Sequence, residues 1–503
     1  MEYGWRANKG IIEGLLKQAG ETRNIPLGLS ASEWAEGVKT GRWTAVDVTV
    51  HCLEQMLKYD STLNAMISVS PDSIEEARRA DKMHAEGSDL KALGIPVVVK
   101  DNIDVAGLPT TLGAAALIPE HPACEDAFIV SLLRKEGAVI LGKSSLSEYA
   151  SSGMSDNSLI GQTLNPYDQT RTPGGSSGGS AVAVAMEYAG LGLGTDGVNS
   201  VRSPASACSL IGLRPTKGYM SCRGAAPSSV TQDMCGILAR TTGDIELAYS
   251  ILSVQDPDDS ASIPEENMHD PAFKVVSTEG RIALLKNNCG DHPDVIRVAR
   301  NTAEKLKRAG FEVFETESPL LSFQRMLNEN NVIRFEQKNS IDAWLSDPGR
   351  GYPLKSLEEY LNSGEIPADV RSALGLDLKP EYRSGGEEHK ARLSRIRSDR
   401  FRILEYMKKE KVAAFIYPSQ VVPVVKVKDP AGQKGRTGIL ASCLGFPAVS
   451  YPAGYTVPDE NAPLGVPIGM DLLGAPGSEK LLLSLCRYLD ADRIERMAPK
   501  MLR

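Results

Sequence analysis

Apolar positions near the start of the chain recur at helical spacing. Ser30 or Ser32 can cap a helix that carries Trp34 and Val38 four residues apart. Thr44 can cap the next, whose apolar positions are Val46, Val50, Leu53 and Leu57. From Gly94 the pattern changes. Gly94-Ile95-Pro96 leads into Val97-Val98-Val99, a continuous β-branched run that ends on Lys100 and reads as a buried strand. A helical stretch from Ile129 to Lys135 precedes a second apolar run, Ala138 to Leu141. Strand, helix and strand at this spacing predict a βαβ unit. Residues 151–180 are rich in Ser, Gly, Asn and Pro and read as loop, entering a small-residue apolar helix over Ala181–Ala189.

Further on, residues 256–275 read as a surface connection. Residues 320–411 hold long charged stretches, including Glu387 to Lys390 and Arg392 to Arg400, expected to be solvated helices. Ala413–Tyr417 and Pro447–Tyr451 predict two more strands. There is no internal repeat. The pattern predicts a mixed α/β layer fold, and the length allows one large core or two to four smaller ones.

Composition narrows the function. Lys plus Arg is 56 against 64 Asp plus Glu, a net charge of −8 over 503 residues, which offers no basic face for nucleic acid. No apolar run approaches the ~18 residues of a membrane-spanning helix, so no membrane partner is expected. The first residues lack a charged segment followed by an apolar one, and the eight cysteines contain no C-x-x-C pair. Buried thiols in a reducing, cytoplasmic setting are the expectation.

The candidate chemistry centres on Thr172-Pro-Gly-Gly-Ser-Ser-Gly-Gly-Ser180. Its four glycines permit unusual backbone angles and close approach to a ligand, and its serines supply hydroxyls. No lysine follows in the position a phosphate-binding loop needs. Gly175 to Gly179 fits G-x-S-x-G, but that hydrolase mechanism needs a later histidine. The later histidines, His269, His292 and His389, all lie in polar stretches and read as surface residues. A serine hydrolase without histidine needs another base. Lysine serves if burial lowers its pKa from ~10.4 by several units, and Lys100, after three valines, has such a setting.

Gly194-Thr-Asp-Gly-Val-Asn-Ser-Val-Arg-Ser-Pro-Ala205 adds the third element. Here the sequence resembles the amidase signature family. The resemblance extends over nearly the whole chain, through Asn64–Ile67, Gly94–Asn102, Gly142–Ser144, Asn165–Asp168, the Gly/Ser loop, Gly212–Thr216, Gly445–Ala448 and Pro467–Gly469. It implies a single α/β domain over 1–503 with a central twisted mixed β-sheet covered by helices on both faces. The parts of that domain would be an N-terminal helical segment (1–80), a catalytic core (81–255), a peripheral helical region (256–411) and a C-terminal return to the core sheet (412–503). It also implies Lys100 as general base, Ser176 as proton relay after a cis peptide, and Ser200 as the nucleophile that forms an acyl-enzyme. The oxyanion would be held by backbone N–H groups of Gly197, Val198, Asn199 and Ser200. Substrate-binding candidates are Tyr149, Met154, Gly174 and Gly175, with pocket walls from 149–160 and 320–345 that include Phe323, Met326, Phe335 and Trp344.

One departure stands out. The family usually carries two glycines where this chain has Val198 and Asn199. Glycine there permits a positive φ, so a reshaped oxyanion turn is expected, with Asn199 a candidate side-chain donor. Asp196 and Arg202 are read as structural partners of the turn. The histidines show no H-x-x-x-H pair and the cysteines no cluster, so hydrolysis without metal or cofactor is expected. The implied activity is hydrolysis of a small-molecule amide, and a homodimer is admitted. Acyl transfer on the same residues, the glutaminase subunit of a tRNA-dependent amidotransferase, and a non-catalytic scaffold stay open.

Overall fold

The computed structural model describes residues 2–263, 280–364, 366–429, 431–491 and 497–502. Its strands are β1 (Met66–Val69), β2 (Pro96–Lys100), β3 (Val139–Ser144), β4 (Leu191–Asp196), β5 (Ile211–Arg214) and β6 (Met234–Ala239). Then come β7 (Arg281–Leu285), β8 (Val313–Thr316), β9 (Val412–Pro418), β10 (Ala448–Tyr455) and β11 (Pro467–Leu473). They form one mixed sheet in the order β1-β3-β2-β4-β6-β5-β10-β11-β9-β7-β8. The βαβ unit is present: β2 and β3 are parallel, and the helix Phe128–Lys135 connects them.

β2 explains its own sequence. It lies between β3 and β4, parallel to both. Val97 and Val99 face one apolar layer, with Ile140, Leu191 and Leu193; Val98 faces the other, with Val139 and Leu141. A strand covered on both faces has no polar side to alternate with, hence three valines in a row. One layer is closed by the helices Phe128–Lys135, Thr242–Leu252, Pro293–Arg308 and Glu479–Ala491. The other is closed by Trp5–Ala19, Ala45–Leu63, Ser73–Ala85 and Gly178–Ala185. Ser30 and Thr44 both cap as expected, each in a reciprocal box with an acidic residue three positions on, Glu33 and Asp47.

Several expectations need correction. β7 and β8 join the sheet from within 256–411, so that stretch is not all peripheral, and β1 forms the sheet edge from within the N-terminal helical segment. The apolar helix expected over 181–189 spans Gly178–Ala185. His389 is buried: its Nε2 is 3.1 Å from Glu336 Oε1 and its Nδ1 accepts from Gly385 N–H. His269 and most of 256–275 lie outside the described residues. Cys124 is exposed, and Cys222 and Cys289 are only partly buried.

The carboxyl ends of β2 and β4 lie side by side, the usual location of a site in an open parallel sheet. β4 ends on Asp196, whose carboxylate is fully buried and receives Arg202 Nη2 at 2.9 Å and Arg214 Nη1 at 3.3 Å. Arg202 also donates to Asp471 Oδ2 on β11 at 2.7 Å and to the carbonyls of Val198 and Gly438. Burial opposes ionisation of Asp196, but the two guanidinium groups outweigh it and hold this carboxyl well below the usual range. The cluster joins β4, β5, β11 and the turn after β4. Asp196→Asn leaves two buried arginines short of a counter-charge and is expected to lower unfolding free energy by about 3–5 kcal/mol in urea titrations. A loss under about 1 kcal/mol would show that the cluster does not hold the turn.

Candidate active site

Lys100 ends β2 fully buried. Its Nζ lies 2.7 Å from Ser176 Oγ and 2.9 Å from Thr195 Oγ1, and Asn102 Nδ2 donates to the same threonine. Burial pushes the amine down to about 7; Asp233 and Asp196 oppose that at longer range, and Arg436 adds to it. Lys143, on the adjacent β3 and equally buried, differs in one respect. It is paired with Asp101 at 3.1 Å. Among the described residues Lys100 has no such carboxylate.

Ser176 follows a cis peptide from Gly175, just before the helix Gly178–Ala185. The glycines around it serve packing more than ligand approach. A Cβ on Gly179 would lie 2.4 Å from the backbone of Ser145, and one on Gly178 would lie 2.1 Å from Ser155 Oγ. Only Gly174 of the four has a positive φ, 76°. The loop is thus pressed into the segment after β3, and Ser177 N–H donates to Ser200 O at 3.1 Å, tying the two serine loops together.

Ser200 stands on the turn between β4 and the helix Arg202–Ala207. Ser176, Ser200, Thr195, Gly197 and Val198 line one cavity of about 140 Å³. The backbone N–H groups of residues 197–200 donate to no acceptor among the described residues, so they are free to meet an anion. The turn makes no use of glycine's freedom at these two positions. Neither Val198 nor Asn199 has a positive φ. The Asn199 side chain is not a free donor: its Oδ1 accepts from Arg436 Nε at 2.6 Å and its Nδ2 is 3.5 Å from Ser419 O.

The substrate-binding expectations fare differently. Tyr149 is buried against Tyr360 outside this cavity, and Met154 lines an adjoining one of about 620 Å³ that shares Arg334 and Ala373. Gly174 packs against Ser203, and the Gly175 carbonyl accepts from Arg436 Nη2 at 3.1 Å. The stretch 320–345 does supply a wall, but through Asn331, Ile333, Arg334 and Gln337. Phe335 stacks on His389, Trp344 Nε1 donates to Tyr352 Oη, and Phe323 and Met326 lie in a separate core cluster. On the helix Ile333–Ser346 the aromatic Phe335 and Trp344 face away from the cavity, while Ile333, Arg334 and Gln337 face it. Hydrophobicity pointed to the wrong face.

Sequence reading missed Asp233, Asp377 and Arg436, which complete the wall. Asp233 accepts from the N–H groups of Ser228 and Ser229. Asp377 is buried with neither oxygen hydrogen-bonded, and burial raises it to about 7. Arg436 sits 3.3 Å from Ser200 Oγ through Nη2. None of the three belongs to a motif, and each comes from a segment far from the serine loops. Among the described residues no group of three metal-binding side chains occurs, and no helix is long and apolar enough to cross a membrane.

The chain is similar over most of its length to proteins of known class. It is 29% identical over 475 residues to the A-subunit of glutamyl-tRNA(Gln) amidotransferase from Methanosarcina barkeri, covering 90% of this chain and 95% of that protein. The corresponding protein of Trichodesmium erythraeum is 30% identical, with 91% and 97% covered. The crystal structure of peptide amidase from Stenotrophomonas maltophilia superposes with a TM-score of 0.81 at 25% identity, over 94% of this chain and 98% of that one. The sequence profile of the Amidase family matches residues 47–483. With the sheet order, the buried lysine and the two serine loops in view, this match establishes that the chain belongs to the amidase signature family, whose enzymes hydrolyse or transfer amide C–N bonds.

Proposed function

We infer that this protein hydrolyses a small polar amide through an acyl-enzyme on Ser200, with Ser176 as proton relay and Lys100 as base. The observation that carries the reading is the 2.7 Å contact between Ser176 Oγ and a buried lysine amine with no carboxylate partner among the described residues. An ion-paired ammonium could not accept a proton; an amine held near pH 7 can. Ser200 Oγ attacks the carbonyl carbon and gives its proton to Ser176, which passes its own to Lys100. The oxyanion that forms is met by the free N–H groups of residues 197–200. The C–N bond then breaks as Ser176 returns a proton to the leaving nitrogen. Water, activated by the same relay, releases the acid.

The wall of the cavity supports a small, polar substrate. Its volume of about 140 Å³ suits a small molecule, and its polar lining residues, among them Arg334, Gln337, Asp377 and Arg436, outnumber the apolar Ala150, Val198, Ile333 and Ala373. The larger adjoining cavity is read as the approach. A second reading, as the glutaminase part of an amidotransferase, draws on the relatives of that name. The engaged side chain of Asn199 sets the turn of this chain apart from the family pattern, so the free-standing hydrolase is preferred. Eight cysteine thiols, none in a disulfide among the described residues, fit a cytoplasmic setting.

Ammonia release across a panel of amides tests the reading. Ser200→Ala is expected to lower kcat by more than about a hundredfold with unchanged circular dichroism; a smaller loss would put the nucleophile elsewhere. The pH profile tests Lys100. Lowering the pH protonates the amine, so kcat/KM should fall on the acid side with a midpoint near the Lys100 value of about 7. Lys100→Met should abolish both the rate and that limb. A profile flat from pH 6 to pH 9 (about two units beyond the midpoint) would argue against a neutral lysine.

A further inference from the structure

Arg436 is anchored at both ends of its guanidinium by neutral acceptors. Nε donates to Asn199 Oδ1 at 2.6 Å; Nη2 donates to Gly175 O at 3.1 Å and lies 3.3 Å from Ser200 Oγ. Among the described residues no carboxylate forms an ion pair with it. The acid whose charge acts on it, Asp196, already serves Arg202 and Arg214. Burial lowers the guanidinium to about 10, so it stays charged at neutral pH. Its Nη1 has no acceptor among the described residues, and the side chain lines the catalytic cavity.

The other charges of the wall do not cancel it. Asp233 is held by two backbone N–H groups. Asp377 interacts electrostatically with Arg334 rather than with Arg436. A partly buried cation without a counter-ion is unfavourable unless something supplies one. We propose that Asn199 fixes Arg436 beside Ser200 so that its free Nη1 binds a carboxylate on the acyl part of the substrate. The proposal rests on the hydrolase reading and gives it a substrate class, the monoamides of short dicarboxylic acids. It also gives Asn199 a role: it stands where the family has glycine because it positions a specificity residue. Contact between Arg436 and Ser200 places that carboxylate only a few bonds from the scissile carbonyl, in keeping with the small cavity.

The test compares kcat/KM for the monoamides of malonic, succinic and glutaric acids with size-matched neutral amides. Wild type should prefer one carboxylated member by about thirtyfold or more, the worth of a charge-assisted hydrogen bond. Arg436→Gln should reduce that ratio to about threefold or less, Arg436→Lys should keep part of it, and Asn199→Gly should lie between. A second readout needs no catalysis. In Ser200→Ala, calorimetric binding of malonate or succinate should weaken about tenfold or more when Arg436→Gln is added. Equal losses on neutral and carboxylated amides in Arg436→Gln would show a general role at Ser200 and overturn the proposal. If neutral amides are cleaved as well as carboxylated ones by wild type, the proposal alone falls. If no amide of either series is cleaved, the hydrolase reading falls with it.

Discussion

A buried amine with only hydroxyl neighbours sits at the carboxyl end of β2, and much of the surrounding structure keeps it that way. Among the described residues two lysines are fully buried, on adjacent parallel strands. It gives Asp101 to Lys143 and withholds a carboxylate from Lys100. For Lys143 the ion pair offsets the cost of burying charge. For Lys100 the same cost is left to act on the proton, which is how a group that ordinarily titrates near 10.4 comes to be held near neutrality. Three valines in a strand covered on both faces supply the dry setting, so the chemistry of the site follows from the layering of the sheet.

The serines are brought to this amine by packing. The Gly/Ser loop lies so close to the segment after β3 that a single methyl group at Gly178 or Gly179 would collide with it. The turn that carries Ser200 is fixed from below by Asp196, Arg202, Arg214 and Asp471, all fully buried. Each of these charges is expensive to bury alone and tolerable together. The arrangement leaves the backbone N–H groups of residues 197–200 without acceptors among the described residues. Val198 and Asn199 fit the turn because its φ angles are ordinary, and Asn199 then turns its amide toward Arg436.

Much of this was legible in the sequence. The strand ending at Lys100, the βαβ unit and the capped helices follow from local patterning. The juxtaposition of Lys100, Ser176 and Ser200 does not. It came from motif resemblance, since no local rule brings together residues 76 positions apart. The pocket wall was misread for a physical reason. Phe335 and Trp344 drew attention as large apolar groups, yet such groups seek the core, while their polar neighbours Arg334 and Gln337 face the cavity. Asp377 and Arg436 sit in segments with no periodic or motif signal, and only the tertiary fold shows them to be near the serines. His389 misled in the opposite direction: its charged neighbours along the chain gave no sign of Glu336 across the helix pair.

The protonation state of Lys100 is the point on which the rest turns. It can be read without any substrate, from the ¹³Cε resonance of labelled lysine, assigned by difference against Lys100→Arg. The expected result is a Lys100 resonance that titrates near pH 7, about three units below the ordinary lysine value. A Lys100 resonance that stays in its protonated position up to pH 10, like a surface lysine, would contradict it.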